Sequence, residues 1–180
     1  FEFIESVQIG TFENVSGDNG GYGNFAGDLF LEMATYGTYD ITLTPGFNGN
    51  AFGQYFKVWI DLNQDGNFND DDELVFDAEG ANPDAVNGQI IIPPSTILGL
   101  TRMRVSMQWG GNGGNQSPEI CETDFSGEAE DYCVTIVEGE PPVCDIPEGL
   151  AAQDIAFTEA TLTWTETTNA NAYNLRFKKT

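Results

Sequence analysis

The chain has 180 residues, with 29 Asp and Glu against 6 Lys and Arg, a formal net charge of −23, no histidine and three cysteines. A surface this acidic repels a phosphate backbone, which excludes nucleic acid as a partner and disfavours anionic lipid. Without histidine, the Ser-His-Asp and Cys-His nucleophile pairs and His-ligated zinc cannot be built, whereas 40% hydrophobic residues, 13 of them Phe, suffice for a core.

No apolar run approaches the ~20 residues of a membrane span. The chain begins at Phe1 with no visible signal peptide, so a mature product or a fragment is expected, and the acid excess with Cys, Asn and Gly-rich loops fits a secreted or cell-surface setting. Three cysteines are too few for a disulfide scaffold.

In chain order, Tyr39, Ile41 and Leu43 alternate with polar residues up to Pro45-Gly46, which reads as a strand ending in a turn. Phe56, Val58 and Ile60 alternate before an acidic loop, and a strand resumes at Leu74 to Phe76. Gln89 to Ile92 is a short strand stopped by Pro93-Pro94. The clearest strand sets Thr101, Met103, Val105, Met107 and Trp109 on one face, with Arg102, Arg104, Ser106 and Gln108 on the other. Tyr132, Val134 and Ile136 form one more alternating face. No segment sustains a helical period. Short strands separated by Gly/Asn/Pro turns predict an all-β fold, a β-sandwich of jelly-roll-like type.

The stretch EGEPPVCDIP reads as a linker and divides the chain into residues 1–138, 139–147 and 148–180. Residues 1–138 hold 23 of the 29 acids and 3 of the 6 bases, so the acidity belongs to the first domain. In the tail, Ala160, Leu162 and Trp164 alternate, then Tyr173, Leu175 and Phe177. A Trp strand followed by Ala170-Asn-Ala-Tyr173, which opens the next alternating stretch, resembles the opening of a fibronectin type III module. Such a sandwich needs ~7 strands, so only its N-terminal part is expected here. An uncovered face of this kind invites omitted strands, cover from the first domain, or strand donation by another copy.

The sharpest motif runs from Asp61 to Glu73, DLNQDGNFNDDDE. Oxygen-bearing side chains at Asp61, Asn63 and Asp65, with Gly66 at the bend, match the opening of a calcium loop. Ca²⁺ takes 6–8 oxygens, and alternate residues of a curled loop can point at one centre. Asn67 offers its carbonyl, and Asp70, Asp72 or Glu73 closes the shell. An EF-hand count selects Asp72; placement directly before the returning strand selects Glu73. Strand-like flanks make this a β-hairpin tip, not a helix–loop–helix unit. Mg²⁺ suits it less, because it keeps several waters. The bland alternative is a solvated acidic turn. A second, weaker acidic cluster is Glu128, Glu130 and Asp131, read as a turn before a strand. These acids would ligate a cation, accept from backbone amides, or pair with Arg102 and Arg104. No catalytic constellation stands out, and a chance carboxylate pair is too common in so acidic a chain to indicate glycoside hydrolysis.

The segments FKVWIDLNQDGNF, TRMRV and GEAEDY occur in this order. Together they resemble the GEVED domain family, with Ala129 where the family name has Val. The early stretch SGDNGGY also suits the family. The resemblance implies a module of a large secreted or surface-attached bacterial protein, often set beside fibronectin type III modules and extracellular enzymes. It also favours Glu73 as the closing ligand. The expected function is a calcium-stabilised, non-catalytic module for adhesion, spacing or assembly, whose partners are other extracellular modules or copies of itself. The alternative is a carbohydrate-binding accessory module of an extracellular enzyme. Phe12, Tyr22, Phe25, Tyr36 and Trp109 are the candidate sugar platforms, and two exposed aromatics in one groove would favour that alternative. For the cysteines, Cys121–Cys133 is the favoured bridge, against a pairing of either with Cys144.

Overall fold

The computed structural model describes residues 2–78, 81–111, 117–120, 126–143, 146–167 and 172–175. They contain twelve strands and no helix, and so no helix long and apolar enough to cross a membrane. The chain divides into two compact units, residues 1–140 and 141–180.

The first unit is built from two sheets. The smaller contains β1 (Glu2–Ile9), β2 (Phe12–Asn14), β5 (Thr38–Phe47) and β8 (Val86–Ile91), in the order β2-β1-β5-β8, all antiparallel. The larger contains β3 (Tyr22–Asn24), β4 (Phe30–Ala34), β6 (Gln54–Ile60), β7 (Leu74–Asp77), β9 (Gly99–Trp109) and β10 (Gly127–Val137). Its order is β3-β10-β9-β6-β7, and β4 also pairs with β10. Strands β3 and β4 run parallel to β10, one after the other along the same side.

The inward residues of both sheets form one core. Ile4, Val7, Ile9, Ile41, Leu43 and Ile90 come from the smaller sheet; Phe56, Val58, Met103, Val105, Val134 and Ile136 come from the larger. Each is almost fully buried, and a buried aliphatic or aromatic side chain contributes about 1.5–3 kcal/mol by leaving water. Tyr132 is the largest fully buried side chain, stacked on Phe25 and met edge-on by Phe12.

Three expectations are corrected. Pro45-Gly46 is not a turn, because β5 runs through it to Phe47. Pro45 pairs with Ile4 just beside a bulge at Ile4/Ser6, and β8 reaches only as far as Leu43, so one side of Pro45 has no ladder to break. Phe3 packs against Gly46, where a Cβ would strike its ring. The Gly-Glu-Ala-Glu-Asp stretch is not a turn before a strand either; it is the first half of β10, paired residue by residue with β9. In the tail, residues 172–175 lie outside any strand.

The second unit contains a short hairpin of β11 (Ala151–Gln153) and β12 (Thr161–Thr163). Trp164 meets Tyr173 edge-on at 5.3 Å, and the Tyr173 hydroxyl accepts from the Thr167 N–H. Leu162 and Leu175 are exposed, and Phe177 lies outside the described residues.

Gly127 is the tightest point in the larger sheet. A Cβ there would fall on the Met107 carbonyl, which is backbone and cannot rotate away. Gly127→Ala therefore forces β9 and β10 apart where they begin to pair. We expect a loss of about 1–3 kcal/mol or more, read as a lowered urea midpoint. Gly27→Ala, where a Cβ meets nothing within 4 Å, is the control and should be near neutral.

Candidate functional site

Strands β6 and β7 form a hairpin, with Val58 opposite Phe76 and Trp59 opposite Leu74. The Asp61–Glu73 loop is its tip. Gly66 has φ +91°, the left-handed bend that glycine adopts without strain. Gln64, also left-handed at φ +57°, is held by bonds from its amide to the Ile97 and Leu98 carbonyls.

Asp61 is 4% exposed and directs its carboxylate into the loop, accepting the N–H groups of Asp65 and Gly66, each at 3.1 Å. Asn63 Oδ1 accepts the Asp65 N–H, and its amide donates to Asp70 across the loop at 2.7 Å. Asp65 accepts the Asn67 N–H, and Asn67 accepts the Asn69 N–H. Glu73 is 1% exposed, and its two oxygens accept the N–H groups of Leu62 (3.1 Å) and Asp70 (3.4 Å). Asp72 is exposed. Of the two candidates for closing the loop, Glu73 therefore turns in and Asp72 turns out.

Burial pushes the Glu73 carboxyl above its ordinary range, and the charges of Asp61 and Asp70 add to the rise, against its backbone N–H bonds. Arg102 donates to the Gly66 carbonyl rather than to a loop carboxylate, and lies over the Phe68 ring together with Arg104. Phe68, 6% exposed, anchors the loop to β9. Sequence reasoning missed this anchor, although one apolar residue inside an acidic polar loop was a signal for it. Among the described residues no three acidic or cysteine side chains are already gathered as a metal site. The loop oxygens are instead engaged with the loop's own N–H groups.

The second acidic cluster is distributed over both faces of β10. Asp131 points outward and forks Arg104 through two 2.7 Å bonds, while the Tyr22 hydroxyl donates to it at 2.8 Å. Glu128 points inward, fully buried, and accepts three backbone N–H groups: Ile4 at 2.8 Å, Asn19 at 2.7 Å and Gly21 at 3.3 Å. Glu130 is also fully buried. Its Oε2 accepts from the Tyr132 hydroxyl, which in turn accepts from the Asn14 amide. Its Oε1 has no partner, because the nearby Ser16 hydroxyl donates to the Ile4 carbonyl. Cys133, on the outer face of β10, is an unbridged thiol, so neither the favoured Cys121–Cys133 bridge nor a Cys133–Cys144 pairing is formed; Cys121 and Cys144 lie outside the described residues.

Of the candidate aromatics, Phe12 and Phe25 pack on Tyr132. Tyr22 and Tyr36 are about half exposed and stand apart from the cleft described next. Trp109 lines a cleft of about 760 Å³ together with Phe52, Glu2, Asp18, Gly20 and Gly21. Phe52 is 45% exposed and meets Trp109 at 6.1 Å, the rings inclined by 67°.

Residues 55–135 match the GEVED domain. The matched stretch holds β6 to β10, and so both the Asp61–Glu73 loop and the acids of β10. The GEVED stretch stops short of the N-terminal strands β1 to β5, which supply most of the smaller sheet. No curated protein matches the chain.

Burial pushes the Glu130 carboxyl up to about 7, and the charge of Glu128 adds to the rise while the Tyr132 hydroxyl opposes it. The proton belongs on Oε1, the oxygen without a donor. A carboxyl that holds its proton to about 7 when folded, but releases it near 4.5 when unfolded, makes stability fall as pH rises through that window. Glu130→Gln keeps the shape and removes the titration. Its stability relative to the native protein should rise from pH 4.5 to 7.5, by on the order of 2–3 kcal/mol. Urea melts across that range check this, and a constant difference would refute it.

Proposed function

We infer that residues 1–140 are a calcium-stabilised, non-catalytic module of a secreted or cell-surface bacterial protein, serving adhesion, spacing or assembly through other extracellular modules or further copies of the chain. The tail is the N-terminal part of a fibronectin type III module. One observation carries the calcium reading: the buried carboxylates of Asp61 and Glu73 both turn into the hairpin tip, where burial raises Glu73 and the charges of Asp61 and Asp70 add to the rise. Like charges gathered in one loop repel, and a divalent cation bound among them removes that repulsion.

The donor set fits the ion. Asp61, Asn63, Asp65, Asp70 and Glu73 bring side-chain oxygens, and Asn67 brings its carbonyl. All are hard oxygen donors of the kind Ca²⁺ takes. When bound, the ion supplies charge neutralisation and closes the hairpin tip. A second reading, a carbohydrate-binding accessory module of an extracellular enzyme, is favoured by the paired aromatics of the Phe52–Trp109 cleft.

Bound ligand stabilises only the folded form, so calcium should raise Tm and chelator should lower it. The gain is about 2.7 kcal/mol at a hundredfold excess over Kd. Asp65→Ala and Glu73→Gln should abolish the response, whereas Asp72→Asn should keep it. Differential scanning calorimetry of metal-stripped and calcium-loaded protein decides the matter, and identical melting curves would refute the reading.

A further inference from the structure

The cleft is assembled from segments far apart in the chain. Trp109 ends β9, Phe52 precedes β6, Glu2 opens β1, and Asp18 to Gly21 form the turn before β3. The two rings make an open corner, one wall set at 67° to the other. Asp18 is locked in place, its Oδ1 accepting the Gly20 N–H and its Oδ2 the Asn48 amide. Glu2 is partly buried and, among the described residues, makes no hydrogen bond or ion pair through its side chain. Gly20 and Gly21 have φ +71° and +97°, so backbone, with no side chain, forms that wall.

The geometry points to this cleft as the binding site for a neutral saccharide, an inference that rests on the carbohydrate-binding reading. The C–H face of a pyranose lies flat on an aromatic ring, while its hydroxyls donate to acceptors at the ring's edge. Trp109 and Phe52 supply the apolar walls, and the carboxylates of Asp18 and Glu2 supply the acceptors. Pockets that combine aromatic lining with a few placed polar groups are the common form of small-molecule sites. Among the described residues no Lys or Arg lines the cleft, and the chain carries a net −23, so an anionic sugar or a phosphate is repelled. A quaternary ammonium prefers a compact aromatic cage. Among the described residues two aromatic walls flank about 760 Å³, which leaves that cage open and offers room for more than one sugar ring.

Isothermal titration of the full chain in calcium buffer tests the inference, using cellohexaose, mannohexaose and maltohexaose as probes. At least one should bind, and Trp109→Ala and Phe52→Ala should each weaken it tenfold or more. Phe52 is half exposed, so its removal should leave Tm unchanged and report on binding alone. Glycan binding that survives both variants would overturn the cleft assignment while sparing the carbohydrate-binding reading. Binding of none of the three would overturn both. Tighter binding of choline or of a hexauronate than of any neutral probe would overturn the choice of ligand.

Discussion

One carboxylate holds the two sheets in register. Glu128 reaches inward from β10 in the larger sheet and accepts the N–H of Ile4 from β1 in the smaller, and those of Asn19 and Gly21 from the turn between them. A buried charge is tolerated only where such donors converge, and a carboxylate receiving backbone N–H groups makes stronger bonds than a neutral acceptor. Much else depends on it. The Ile4 N–H beside the β1 bulge would otherwise lack an acceptor, and the turn that forms one wall of the aromatic cleft would lose its anchor. Gly127, one residue earlier, permits β9 to approach closely enough for Glu128 to be in place.

The buried acids of this domain are each accommodated differently. Glu128 is satisfied by peptide donors, and Glu130 by a proton and a tyrosine hydroxyl. Asp61 is satisfied by the loop that it organises. Glu73 has peptide donors too, but burial and the neighbouring charges of Asp61 and Asp70 raise its carboxyl against them. Acids that face water need none of these devices. A composition dominated by Asp and Glu thus conceals a few carboxylates with structural tasks that their neighbours in sequence do not share.

Much of this was legible in the sequence, and the failures have physical causes. β6, β9 and the second half of β10 could be read because their inward positions are apolar. β1 escaped because the bulge between Ile4 and Ser6 breaks its alternation, leaving Glu5 and Ser6 both partly exposed. The first half of β10 escaped because two of its inward residues are glutamates, which look like a solvated turn. Alternation of oxygen-bearing side chains from Asp61 to Asn67 marked the loop. Pattern alone could not separate Asp72 from Glu73; the pairing of the Glu73 carbonyl with the Ile60 N–H does, by carrying Glu73 into the hairpin. The cleft was nearly invisible: Trp109 stood out, but Phe52, Glu2 and Asp18 meet it only through the fold.

The parallel placement of β3 and β4 against β10 has a consequence for how the chain folds. β2, β1 and β5 lie close in sequence and can pair early. β3 and β4 pair only with β10, and the Ile4–Glu128 bond spans 124 residues. A chain that emerges from its N-terminus must keep residues 22–34 without a sheet partner until nearly the whole domain has been made. Closing so long a loop comes late and slowly, because its entropy is lost before the contacts form. The last strand of the domain therefore acts as its lock, and a chain interrupted before residue 127 leaves β3 and β4 without the strand they pair with.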